Sequence, residues 1–202
     1  MITKAILCAG VTSYKGLKQT ETKPGQFVAI VGAAGGLGHV AIQYAKAMGM
    51  KVVAVDVGKD RLDYCKSLGA DFAVDAIQVP GSPSPVELVR QCTHGGCHGV
   101  LCLATQKAAF ANSLAMTRRN GTMVAVGLPS GTFEVDVVSL VLGGVTIRGS
   151  IVGTRQDAAE ALDFAARGLV TCKVEKAKIE NVTEVLQRVR KNTVEGRIVF
   201  EF

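Results

Sequence analysis

A chain of 202 residues, 48% hydrophobic and 5% aromatic, can bury one α/β core and at most part of a second domain. A formal charge of +6 suits an anionic ligand, but the basic residues are scattered and the aromatics few, which argues against a nucleic-acid partner. No segment reaches the roughly 18 consecutive uncharged apolar residues of a membrane helix. The first residues lack a signal-peptide layout, and six cysteines in a chain of this size form no secreted disulfide framework. A cytoplasmic protein with no membrane partner is expected.

The turn Lys23-Pro24-Gly25 introduces an apolar strand predicted over 27–31, which runs into Gly32-Ala33-Ala34-Gly35-Gly36-Leu37-Gly38. A helix is predicted over 37–48, where Val40, Ala41, Tyr44 and Ala45 recur at helical spacing and Gly49 stops the pattern. A second strand over 51–56 ends at Asp56. Strand, glycine turn, helix, strand and terminal acid in this order form a dinucleotide-binding unit. Glycines let the backbone approach a pyrophosphate without a Cβ in the way, and the N–H groups at the helix start favour its charge. Read back from Gly38, the fingerprint is Ala33-x-Gly35-x-x-Gly38; Ala33 holds the first glycine position, and Gly32 beside it is available to relieve the turn. Asp56 follows Gly38 by 18 residues, the spacing of an acid that binds the adenosine ribose hydroxyls. A carboxylate there repels a 2′-phosphate, so NAD is expected over NADP.

The alternation continues. A helix is predicted over 59–68 and a short strand over 72–74. A stiff loop spans Pro80 to Pro85, followed by a short helix over 86–92, a strand over 99–103, a helix over 107–116 and a strand over 122–126 ending at Gly127. The apolar stretch 135–147 reads as a strand pair or sheet edge, and 145–152 as a sixth strand. The fold class is therefore a doubly wound Rossmann-type parallel six-stranded sheet with helices on both faces. Beyond Gly153 the pattern shifts to amphipathic helices over 157–167 and 182–191 and a terminal strand over 196–202. That piece has little core of its own and must pack on the nucleotide unit or on a portion not present. Cys92, His94, Cys97 and His98 are four potential zinc ligands within seven residues, but their spacing matches no common structural site. They read as a surface loop entering a strand.

Several segments together resemble one family: Cys8-Ala9-Gly10-Val11-Thr12, the glycine turn, Gln43-Tyr44-Ala45-Lys46-Ala47-Met48-Gly49, the run from Ala161 to Gly168, and Glu195-Gly196-Arg197. They are similar, in order and over nearly the whole chain, to the carboxyl-terminal portion of zinc-dependent medium-chain alcohol dehydrogenases of the yeast type. The resemblance implies a nucleotide domain over 1–153, with a catalytic-domain remnant at 1–12, and a return into the catalytic domain over 154–202. It implies that Cys8 descends from one of three ligands to a catalytic zinc, that Arg61 lies beside the adenosine, that Gly127 and Leu128 follow the nicotinamide edge, and that Arg197 lies near the pyrophosphate. Arg61 is also open to a reading as a solvated helix charge, and Cys8 to one as a small apolar residue. The implied activity is oxidation of a small alcohol to an aldehyde or ketone with NAD, in a homodimer or homotetramer. One cysteine cannot hold a catalytic zinc, so this portion alone is expected to bind cofactor without turning over alcohol. Two other readings stand beside it: a free-standing NAD-binding module, and a zinc-independent quinone or enoyl reductase, against which Cys8 and Asp56 both argue.

Overall fold

The computed structural model describes residues 6–191 and 193–201; the first five residues of the 1–12 remnant and the predicted strand end Phe202 lie outside the described residues. Six strands, β1 (Phe27–Val31), β2 (Lys51–Asp56), β3 (Phe72–Asp75), β4 (Cys97–Cys102), β5 (Thr117–Ala125) and β6 (Thr146–Gly149), form one sheet in the order β3-β2-β1-β4-β5-β6. Every neighbouring pair is parallel, as the strand–helix alternation requires.

The central strands are apolar on both faces because helices cover both. Val28 and Ile30 of β1, with Val52 and Ala54 of β2, point into a core shared with α1 (Val11–Gln19) and α2 (Gly38–Ala47). The intervening Ala29, Val31, Val53 and Val55 point the other way, towards α4 (Pro85–Cys92) and α5 (Lys107–Met116) through Val89 and Met116. Helix α3 (Lys59–Ser67) closes the β2–β3 end through buried Cys65.

The segment beyond Gly153 packs on the first of these cores. It comprises α7 (Arg155–Ala166), β7 (Val174–Lys178), α8 (Val182–Arg190) and β8 (Arg197–Glu201), with β7 and β8 in a separate parallel pair. Ala161, Val170 and Cys172 belong to the same buried cluster as Leu17, Tyr44 and Ile30. The rings of Tyr14, Tyr44 and Phe164 meet at 5.5–5.8 Å between centroids, and the Tyr44 hydroxyl donates to the Ala161 carbonyl at 3.0 Å. Around this contact, Lys18 Nζ lies 3.1 Å from Asp157 and 2.7 Å from Glu160, which also accepts the Tyr14 hydroxyl at 2.7 Å. The Lys18 ammonium is the main reason the Glu160 carboxyl is held down to about 2. Burial, aided by Glu160, pushes the Tyr14 phenol up to about 12.

The stretch 135–147 is not a strand pair. It contains a helix, α6 (Val137–Gly143), because Asp136 accepts the N–H groups of Val138 and Ser139 as a side-chain cap and Gly144 takes the left-handed conformation that ends it. The sixth strand is shorter than expected, four residues at the sheet edge. Helix α1, a π-helical turn at Ile6–Gly10 and strand β7 are additions to the sequence reading. No helix among the described residues is long and apolar enough to cross a membrane.

Candidate functional site

The chain leaves β1 for β2 and β3 on one side, then crosses back to β4 on the other. At this reversal the carboxyl ends of β1 and β4 part, which is where ligands bind in open α/β sheets. A cleft of about 480 Å³ lies there. Its walls are the glycine turn, the end of β2 with Asp56 and Arg61, and the segment Leu103–Gln106.

The turn is shaped by a few strict contacts. Gly32, at φ +83°, takes the left-handed step, so Ala33 in the first fingerprint position needs none and is fully buried. A Cβ on Gly38 would collide with the carbonyl oxygens of Gly32 and Ala33, so this glycine is what lets α2 start against the strand. A Cβ on Gly36 would sit 3.0 Å from Cδ of Arg197. Arg197 on β8 therefore reaches the turn from the carboxyl-terminal segment. Among the described residues the N–H groups of Gly36, Leu37 and Gly38 have no internal hydrogen-bond partner. Three consecutive free donors at a helix start beside a guanidinium make an anion cradle.

Asp56 is nearly buried, and its carboxylate is already engaged. Oδ2 accepts the Ala34 N–H at 2.7 Å and Arg61 Nη2 at 3.2 Å; Oδ1 accepts the Val57 N–H at 2.8 Å and Arg61 Nε at 2.7 Å. Four donors match the lone-pair capacity of an ionised carboxylate. Arg61 is thus an ion-pair partner of Asp56 and not a solvated helix charge; that bond is the main reason its own pKa is raised.

The remaining candidates lie apart from the cleft lining. The Gly127 N–H donates to the Cys102 carbonyl at 3.0 Å, and a Cβ there would run into the Ala104 carbonyl, so glycine lets the β4 and β5 ends close together. Leu128 is 82% exposed. Cys8 is exposed on the π-helical turn, and among the described residues no group of three His, Cys, Asp or Glu side chains forms a metal cage. In the 92–98 run, Cys97 points into the core on β4, while His98 accepts the Phe27 N–H at 3.2 Å and its Nε2 lies 2.8 Å from Arg118 Nη1. The two side chains are thus engaged by different partners.

The structure adds Thr105, Gln106 and Lys191 to the cleft wall. The first two follow the strand at the switch point and could have been flagged from topology. Lys191 comes from the end of α8 and arrives only through tertiary docking.

Residues 36–167 match the family described as zinc-binding dehydrogenase. The chain is 49% identical over 197 residues to an alcohol dehydrogenase of Moraxella sp. (strain TAE123), covering 98% of this chain and 56% of that relative. Among solved structures, the alcohol dehydrogenase of the hyperthermophilic archaeon Aeropyrum pernix superposes with a TM-score of 0.90 at 31% identity, over 98% of this chain and 57% of that one. The acetophenone reductase of Geotrichum candidum, solved in complex with NAD, gives 0.84 at 26% identity, over 97% and 54%. The chain spans a little over half the length of each of these proteins.

Proposed function

The chain belongs to the zinc-binding dehydrogenase family, and on that premise we propose that it is the NAD-binding portion of an alcohol dehydrogenase acting on a small alcohol or aldehyde. The observation that carries this reading is the cradle of free N–H groups at Gly36–Gly38, opposite Arg197 and one strand from Asp56. Bound at this cleft, the nicotinamide would supply the hydride acceptor for oxidation of the alcohol carbon. The chain's own residues hold and orient. Gly36, Leu37 and Gly38 would donate to the pyrophosphate, Arg197 would balance its charge and Asp56 would take the adenosine ribose hydroxyls, while Gly127 and Leu128, outside the cleft lining, are assigned to the nicotinamide edge by the family resemblance alone. Cys8 alone does not fit a catalytic zinc, which needs about three protein ligands. The chain by itself is therefore proposed to bind NAD without oxidising alcohol.

Calorimetric titration tests this. NAD is expected to bind and NADP to bind at least roughly tenfold more weakly, the difference a nearby carboxylate makes to a 2′-phosphate. Equal affinities, or no heat with either, would overturn the assignment.

We also propose a homodimer through the β6 edge. Ser150 donates its N–H inward to Ala125, so by strand alternation the N–H groups of Ile147 and Gly149 point away from the sheet. Exposed Val137, Val138, Val141 and Leu142 on α6 extend the apolar character beside this edge, and a second copy meeting it across a two-fold axis would cover both. Light scattering at micromolar concentration should give twice the chain mass, and Ile147→Pro should give a folded monomer. A wild-type monomer would refute the shared edge, as would a dimer indifferent to that proline.

A further inference from the structure

His39 follows Gly38 in α2, is fully buried, and lies outside the dinucleotide fingerprint. Its Nδ1–H donates to the Gly35 carbonyl at 3.0 Å, and Nε2 accepts the backbone N–H of Lys173 at 3.3 Å. A nitrogen that accepts from an amide carries no proton, so this pair of contacts selects one neutral tautomer. The Lys173 carbonyl in turn accepts the N–H of Arg197 at 2.9 Å. One turn further along α2, Gln43 clasps the same segment: Nε2 donates to the Thr171 carbonyl and Oε1 accepts the Thr171 N–H, both at 2.9 Å. A continuous polar chain thus runs from the glycine turn through the imidazole and the Lys173 peptide to the residue that faces Gly36.

We propose that His39 is a positioning residue whose neutral ring ties the glycine turn to the 171–173 segment and so sets Arg197 against the turn, and that protonating it releases this tie and weakens dinucleotide binding. The proposal rests on the reading of the turn as an NAD site. Protonation would place an Nε2–H against the Lys173 N–H, donor facing donor. The charged groups around the ring oppose it as well. Arg197 faces it from β8 and Lys173 from the adjoining segment, with the Lys173 ammonium paired to Glu195 at 2.6 Å and lying 4.9 Å from the Tyr64 ring of α3. Cys172 beside them is a buried thiol whose pKa burial raises. Burial is the larger cause holding the imidazole below its ordinary value, while the Gly35 carbonyl pulls the other way. The sign follows. A His lowered on folding is neutral above its folded pKa, so the tie is intact at pH 7 and is lost as pH falls through a window below about 6.5.

The test uses the isotope-labelled chain and two readouts, backbone amide shifts by NMR and NAD affinity by calorimetry, from pH 7.5 to 5. The Lys173 and Arg197 amides are expected to titrate with the midpoint of the His39 ring. NAD should bind roughly tenfold more weakly one pH unit below that midpoint. His39→Gln, whose amide oxygen can accept the Lys173 N–H without titrating, should keep affinity near wild type at pH 7.5 and flatten the acid limb. Amides that ignore the ring's titration overturn the coupling; so do wild-type and His39→Gln profiles that superimpose. A ring that stays neutral until acid unfolding overturns the proton-linked part. Absence of NAD binding at pH 7.5 would instead strike the cofactor reading, and the amide titration would still decide the coupling without ligand.

Discussion

Gly38→Ala is expected to abolish NAD binding and to lower the unfolding midpoint. The new methyl would have to occupy space held by two backbone oxygens, those of Gly32 and Ala33, and neither is the end of a flexible side chain. The Gly32 oxygen already accepts the Gly35 N–H at 3.2 Å, so moving it unravels the turn's own bond. Overpacking of this kind costs about 3 kcal/mol when backbone must shift. That loss falls on both properties at once, because the displaced carbonyls set the direction of the N–H groups at 36–38. Gly149→Ala is the control: its Cβ would meet nothing within 4 Å and its φ is not in the left-handed range. Thermal unfolding and calorimetry on both variants check this. A Gly38→Ala chain that matches wild type in both would show that the turn tolerates a side chain and that the cradle geometry is wrong.

The parts of the fold that were legible in the sequence are those with a local physical signature. Val28–Val31 and Val52–Val55 are runs that only a doubly covered strand can bury, and Gly49 and Gly69, both at positive φ, end their helices as their positions imply. The stretch around α6 misled because Val137, Val138, Val141 and Leu142 are all exposed, so no burial pattern accompanies the helix. Its signals were the Asp136 cap and Gly144, which are visible in the sequence but weak beside an apolar run. Strand β7 exposes Glu175, Lys176 and Lys178 without alternation and is defined by pairing with β8, more than twenty residues later. The site divides the same way. The glycine turn and Asp56 are local and were readable. The engagement of Asp56 by Arg61 and Ala34, and of His39 by Lys173, depends on which elements meet, and residue spacing carries no trace of it.

Asp56→Ser is expected to weaken NAD and strengthen NADP, inverting the preference. In the wild-type chain the carboxylate is saturated by four donors, so ribose hydroxyls must take the place of Arg61, the one partner that is a mobile side chain and not backbone. Removing the carboxylate acts on both cofactors in opposite directions. NAD loses charge-assisted hydrogen bonds worth about 1.5–3 kcal/mol each, or roughly ten- to a hundredfold in affinity. NADP escapes repulsion and meets the Arg61 guanidinium released from its bonds to Asp56, which suits a 2′-phosphate. The second effect should therefore shrink to the relief of repulsion alone in Asp56→Ser combined with Arg61→Ala, while the first persists. Calorimetry with both cofactors on the two variants separates these contributions, and an unfolding midpoint for each guards against general damage from disturbing a nearly buried acid. If NADP affinity fails to rise in the single variant, or rises equally in the double, Arg61 is not the group that reads the 2′-position. If NAD affinity is unchanged, Asp56 does not hold the ribose at all, and its bonds to Ala34 and Val57 serve only to brace the turn.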